Sequence, residues 1–131
     1  MMDKILFVDD DTYTLETLTK AAEVLGHQAM VADSFQTALS VLRETVPDLI
    51  FTDMNLTGKN GISLVQEIKG QSSTAGIPVI ILSASPEVAT AEEAQAAGAL
   101  AYLNKPVRLN KLQEVIEFYT TQQPGRPSYA A

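Results

Sequence analysis

Three consecutive aspartates, Asp9-Asp10-Asp11, close the first apolar run of the chain, and a fourth, Asp53, closes a later run of the same kind. Ser83 and the pair Asn104-Lys105 stand in the same place after two further apolar runs. Grouped carboxylates repel one another, so their convergence costs folding energy unless a cation neutralises it. Oxygen donors without cysteine or histidine select a hard ion such as Mg²⁺, which keeps several waters and completes its shell with phosphate oxygens. A lysine facing that centre can pair with one phosphoryl oxygen and a hydroxyl can hydrogen-bond another. With an aspartate in the middle, the chemistry that follows is phosphoryl transfer to a carboxylate, giving an acyl phosphate.

Taken singly, each of these residues has an ordinary role. An aspartate before a helix is most often its N-cap, yet three in a row exceed that need. Asp53 could open a turn, Ser83 could bond its own backbone, and Lys105 could be a solvated surface charge. Their joint occurrence at strand ends is what points to a site. His27, the single histidine, follows Gly26 in a helix-to-strand turn and reads as a surface residue rather than a ligand.

The elements that must position these residues can be read from hydrophobic period. Short apolar runs alternate with longer stretches of helical period, the pattern of a parallel sheet built from strand-helix-strand crossovers. The strands read as Lys4 to Val8, Gln28 to Ala32, Asp48 to Thr52, Pro78 to Ser83 and Leu100 to Leu103. The first helix carries Leu15, Leu18, Ala22 and Leu25 on one face, with Gly26 where a C-terminal cap is wanted. The second opens after Asp33-Ser34 and closes before Pro47; the third begins near Gly61, turns Leu64, Val65 and Ile68 inward, and gives way to a polar stretch, Gly70 to Gly76.

The fourth helix, Glu87 to Ala97, is rich in alanine and glutamate, with Val88 as its one large apolar residue, and is expected to pack weakly and move readily. The last runs from about Leu109 to Thr121, with Leu109, Leu112, Ile116 and Tyr119 on its stripe. The expected fold is α/β, a doubly wound five-stranded parallel sheet of strand order 2-1-3-4-5, flavodoxin-like. In that order the acidic residues, the serine and the lysine meet at the carboxyl ends of the strands, where such sheets bind ligands.

The 131 residues suit one domain, expected over residues 1 to 121, and an apolar fraction of 46% can bury a core. Residues 122 to 131 read as a flexible tail, a linker start or an expression remnant. The absence of cysteine excludes a disulfide framework, a thiolate zinc site and cysteine catalysis. Ile5-Leu6-Phe7-Val8 is too short for a signal segment and stops at aspartates, which points to the cytoplasm, and no segment suits a membrane span. A net charge of -7 opposes direct nucleic-acid binding, which needs clustered Lys and Arg.

The stretches Ile5-Leu6-Phe7-Val8-Asp9-Asp10-Asp11, Pro47 to Leu56, Val79-Ile80-Ile81-Leu82-Ser83-Ala84 and Lys105-Pro106 resemble the four signatures of response-regulator receiver domains, in order and at family spacing, from about Lys4 to Thr121. The resemblance implies that Asp53 accepts a phosphoryl group from a histidine kinase or a histidine phosphotransfer protein. It implies that Mg²⁺ is bound by Asp10, Asp53 and the backbone carbonyl of Asn55, with Asp9 acting mainly through water. Ser83 and Lys105 match the family's hydroxyl and lysine, Tyr102 its switch aromatic, and Lys105-Pro106 its cis peptide. Kinase docking is expected on Thr14, Thr17, Lys20 and Ala21 of the first helix, which alternate with its buried positions.

The family's usual Leu-Pro-Gly is here Leu56-Thr57-Gly58 and its usual Asp-Gly is Asn60-Gly61, which affects loop rigidity rather than reacting groups. No output module is recognisable, so the expected downstream partner is a separate protein or an output domain outside this chain. The state of association is expected to be a monomer or a phosphorylation-dependent dimer. A rival of another class is a phosphohydrolase of haloacid-dehalogenase type, because Asp9-Asp10-Asp11 satisfies its Asp-x-Asp signature. There the phosphorylated residue would be Asp9; such an enzyme also needs an acidic pair far downstream, whereas Ala91 to Leu103 offers only Glu92 and Glu93, on a helix.

Overall fold

The computed structural model describes residues 3–56, 59–84 and 88–120. Five strands, β1 (Lys4–Val8), β2 (Gln28–Ala32), β3 (Leu49–Asp53), β4 (Val79–Ser83) and β5 (Ala101–Asn104), alternate with five helices, α1 (Thr12–Val24), α2 (Phe35–Glu44), α3 (Gly61–Lys69), α4 (Val88–Ala97) and α5 (Leu109–Thr120). All strand pairs are parallel and their order is β2-β1-β3-β4-β5. This is the expected doubly wound sheet, with the winding reversing between β1 and β3.

The sheet is apolar on both faces because helices cover both. Ile5, Phe7, Leu49, Phe51, Ile80, Leu82 and Leu103 face α1 and α5, whereas Leu6, Val8, Ile50, Val79 and Ile81 face α2, α3 and α4. Strict alternation along each strand produces the two cores. Phe7 and Phe51, partners across the β1–β3 ladder, stack with ring centroids 5.5 Å apart.

Local chemistry sets the helix ends. Gly26 takes a φ of +88° just after α1, where an L side chain would be strained. Ser34 caps α2 in a reciprocal box with Thr37, and Asn60 caps α3 through the Ser63 N–H. The polar segment after α3 is tied down from within. Buried Thr74 donates to the Ile68 carbonyl, and the half-buried Lys69 ammonium donates to the carbonyls of Ala75 and Ile77, with burial pushing its pKa down.

Several expectations need correction. β3, β4 and β5 begin one residue later than read; β3 and β5 also end one residue later, whereas β4 ends at Ser83 as read. Pro78 lacks the N–H that would extend β4 backward. Leu109 is 47% exposed, and Val115 is buried in its place on α5. His27 is half-buried, its Nδ1 3.6 Å from the Asp3 carboxylate at the sheet end remote from Asp9. On α4, Ala94 is fully buried; the side chain of Val88, together with Glu87 and the segment 121–131, lies outside the described residues.

Candidate functional site

The carboxyl ends of β1, β3 and β4 and the turn after β5 meet at one edge of the sheet. Asp9 continues β1 and is 2% exposed; Asp53 is the last residue of β3; Ser83 is the last of β4 and is buried. The Lys105 N–H donates to the Ser83 carbonyl, which fixes the turn that carries the lysine side chain. Its Nζ reaches back to Asp9 Oδ2 at 2.6 Å and lies 3.3 Å from Asp53 Oδ1. One ammonium therefore spans two of the strand ends.

The three aspartates after β1 divide their work. Asp11 caps α1, its carboxylate accepting from the Tyr13 N–H and the Thr14 hydroxyl, and the Thr14 bond leads in holding its pKa down. Asp9 accepts from Lys105 and, on its other oxygen, from the Asp11 N–H at 2.9 Å. Asp10 is exposed and turned to the pocket: carboxylate oxygens of Asp9, Asp10 and Asp53 all lie within 4.8 Å of one another. Such an all-oxygen donor set, without sulfur or imidazole, fits Mg²⁺.

Electrostatics follow from the packing. Burial, then the neighbouring Asp9 charge, pushes the Asp53 carboxyl above its ordinary pKa, and Lys105 only partly offsets this. Burial alone would lower Lys105, but its hydrogen bond to Asp9 and the two carboxylate charges prevail and raise it, so the lysine stays charged. Asn55 lies two residues beyond Asp53 and faces Asn60 across a short antiparallel bridge. Its neighbour Thr57-Gly58 lies outside the described residues.

Tyr102 is half-buried, packs against the core on the α4 side of the sheet, and keeps a buried hydroxyl with no hydrogen-bond partner among the described residues. Lys105-Pro106 is cis, as the resemblance implies. Of the four α1 residues expected to face solvent, Thr17 and Lys20 do; Thr14 and Ala21 are half-buried, Thr14 because it bonds Asp11 and Ala21 because it packs against the core under α1. Tyr13, which the alternation argument left out, is 75% exposed and lines a groove of about 340 Å³ with Thr17, Leu82, Pro106 and Val107.

A doubly wound α/β domain thus gathers an acidic cluster, a buried serine and a bridging lysine at the carboxyl ends of its strands, where such sheets bind ligands. The family model for the response regulator receiver domain matches residues 5–117, so the chain belongs to that family of two-component signalling proteins. It is 39% identical over 113 residues to the transcriptional regulatory protein ZraR of Salmonella typhimurium, covering 86% of this chain and 25% of that protein. It is 33% identical to the transcriptional regulatory protein MalR of Bacillus subtilis, covering 93% of this chain and 52% of that one. The chain thus spans a quarter to half of these relatives. Among solved structures, a response regulator receiver domain protein from Clostridium thermocellum superposes with TM-score 0.84 at 30% identity, over 91% of this chain and 94% of that one. A putative response regulator from Chloroflexus aurantiacus superposes with TM-score 0.88 at 25% identity, over 93% and 100%.

Proposed function

We propose that this receiver domain is a Mg²⁺-dependent phosphorylation switch, in which Asp53 takes a phosphoryl group from a histidine kinase or a histidine phosphotransfer protein and the altered surface acts on a downstream output protein or domain. The observation that carries the reading is Lys105, whose ammonium lies within 3.3 Å of Asp53 and is anchored by Asp9. In the step, an Asp53 oxygen attacks the donor's phosphorus, the bond from phosphorus to the donor breaks, and the donor departs with the electron pair. When bound, Mg²⁺ supplies charge neutralisation for the phosphoryl oxygens. Asp10, Asp53 and the Asn55 carbonyl would hold it, with Asp9 acting through water. Lys105 offsets charge on one transferring oxygen and the Ser83 hydroxyl donates to another.

The raised pKa of Asp53 favours this role, since a poorly solvated carboxylate is a better nucleophile than one fully hydrated. Reading out the phosphate falls to Ser83 and Tyr102: Ser83 moves toward the new oxygens, and the Tyr102 ring, already packed on the core with its hydroxyl buried, repacks beside β5 and shifts α4. The groove between α1 and the Lys105-Pro106 turn, with Thr14, Thr17, Lys20 and Ala21, is the proposed kinase-side surface. Catalysis is limited to the protein's own phosphorylation and dephosphorylation, and the proposed place of action is the cytoplasm.

The test is incubation with acetyl phosphate and Mg²⁺, followed by intact-protein mass spectrometry. One phosphoryl group per chain is expected, absent when EDTA replaces Mg²⁺ during the incubation and nearly absent in Lys105→Met. Phosphorylation that is indifferent to both changes would refute the proposal.

A further inference from the structure

Gly61 opens α3, yet its backbone is pressed against the end of β3. A methyl group at this position would lie 2.4 Å from the Asp53 carbonyl oxygen, 3.1 Å from Met54 Cα and 3.2 Å from the Asp53 carbonyl carbon. All three are backbone atoms, which cannot swing aside as a side chain can. The demand at Gly61 is for space: among the described residues only Gly26 and Gly98 have positive φ. The Gly61 N–H also donates to the Met54 carbonyl at 2.6 Å, and the adjacent Asn60 faces Asn55. The chain leaving the pocket is thereby folded back onto the residues that form it.

Helix propensity gives no reason for glycine here, since alanine is the better helix former. We infer that Gly61 is a positioning residue for phosphoryl acceptance: its missing side chain lets α3 seat on the Asp53–Met54 backbone, and this contact sets where the Asp53 carboxylate and the Asn55 carbonyl stand. A side chain at position 61 must push the end of β3 or lift the start of α3, and either shift spreads the oxygen donors. This rests on the proposed Mg²⁺ pocket.

The test compares Mg²⁺ affinity, by NMR titration of the folded protein, in wild type, Gly61→Ala and Gly76→Ala; a methyl at Gly76 meets nothing within 4 Å. Displaced supports of metal ligands typically cost 10- to 100-fold in affinity, so a loss of about tenfold or more is expected in Gly61→Ala, with Gly76→Ala like wild type. Amide shifts of Asp53 and Met54 should move in metal-free Gly61→Ala. If that variant fails to fold in plain buffer, the titrations are repeated for all three proteins in a surface-excluded osmolyte that favours compact states. Gly61→Ala binding Mg²⁺ as wild type does would overturn the inference alone. A wild-type protein that binds no Mg²⁺ would remove the pocket reading, and the inference with it.

Discussion

Lys105 holds Asp9 at 2.6 Å and stands 3.3 Å from Asp53, so it governs how much negative charge the pocket tolerates. Replacing it by Met leaves Asp9, 2% exposed, with an uncompensated charge. Breaking a buried pair in this way costs about 3–5 kcal/mol, and urea denaturation of metal-free Lys105→Met should show that loss. Asp53 acts in the opposite sense. Its folded pKa is raised above the unfolded value of 3.8, first by burial and then by Asp9. Between those two values the native state holds the extra proton, so stability rises as pH falls through the folded pKa, and at neutral pH the ionised carboxylate opposes folding. Asp53→Asn should therefore be more stable at neutral pH by about 0.5–2 kcal/mol, as is common when a functional strain is removed, with the gain fading in acid. Equal stability of the two proteins across that range would contradict this. For Ser83, a charge-assisted bond to phosphate is worth roughly 1.5–3 kcal/mol, enough to shift a two-state population by about one to two decades. Phosphorylated Ser83→Ala should keep the α4 NMR shifts of the unphosphorylated protein; a spectrum matching phosphorylated wild type would exclude the switch. At this scale the residue types at strand ends were legible in the sequence. The division of labour in Asp9-Asp10-Asp11 was not, because it depends on which carboxylate the distant Lys105 reaches.

The elements differ in what holds them. α3 buries Ile62, Leu64, Val65 and Ile68, whereas the described part of α4 has Ala94 as its fully buried residue. Each large apolar side chain that one helix buries and the other lacks is worth about 1.5–3 kcal/mol, so α4 amides should exchange with solvent more than tenfold faster than those of α3. Equal protection would show that α4 is held by something other than apolar contact. The end of α1 offers a cleaner test. Gly26 has a φ of +88° and nothing within 4 Å of a would-be Cβ, so Gly26→Ala meets only conformational strain, about 1–2 kcal/mol by thermal unfolding. Helical period and alternation located all ten elements, and β1 and β2 to the residue. The later strands slipped by one at their starts because ladder partners, which the one-dimensional pattern does not contain, decide where a strand begins. Leu109 was misplaced because the stripe was continued back to the first residue of α5, which is 47% exposed, and the same spacing passed over Val115.

For the whole molecule, strand order does most of the functional assembly. Residues separated by as many as 96 positions, Asp9 and Lys105, meet because β1 and β3 lie at the switch point and β4 and β5 follow outward from them. That convergence was legible once five alternating units were recognised, and it follows from the handedness of parallel crossovers. The groove beside Tyr13 was not, since it depends on the Lys105-Pro106 turn standing against α1. The same convergence makes the competing use of this pocket testable, because a hydrolase of the Asp-x-Asp type would carry phosphate on Asp9. Asp9 has one oxygen held by Lys105 at 2.6 Å and the other by the Asp11 N–H, whereas Lys105 stands 3.3 Å from Asp53. Trapping the acyl phosphate with borohydride after treatment with acetyl phosphate and Mg²⁺, then mapping the reduced residue by peptide mass spectrometry, decides between them. The reduced residue should be Asp53 and should vanish in Asp53→Ala; a label on Asp9, or one that survives Asp53→Ala at full stoichiometry, would contradict the assignment of Asp53 as the phosphoryl acceptor.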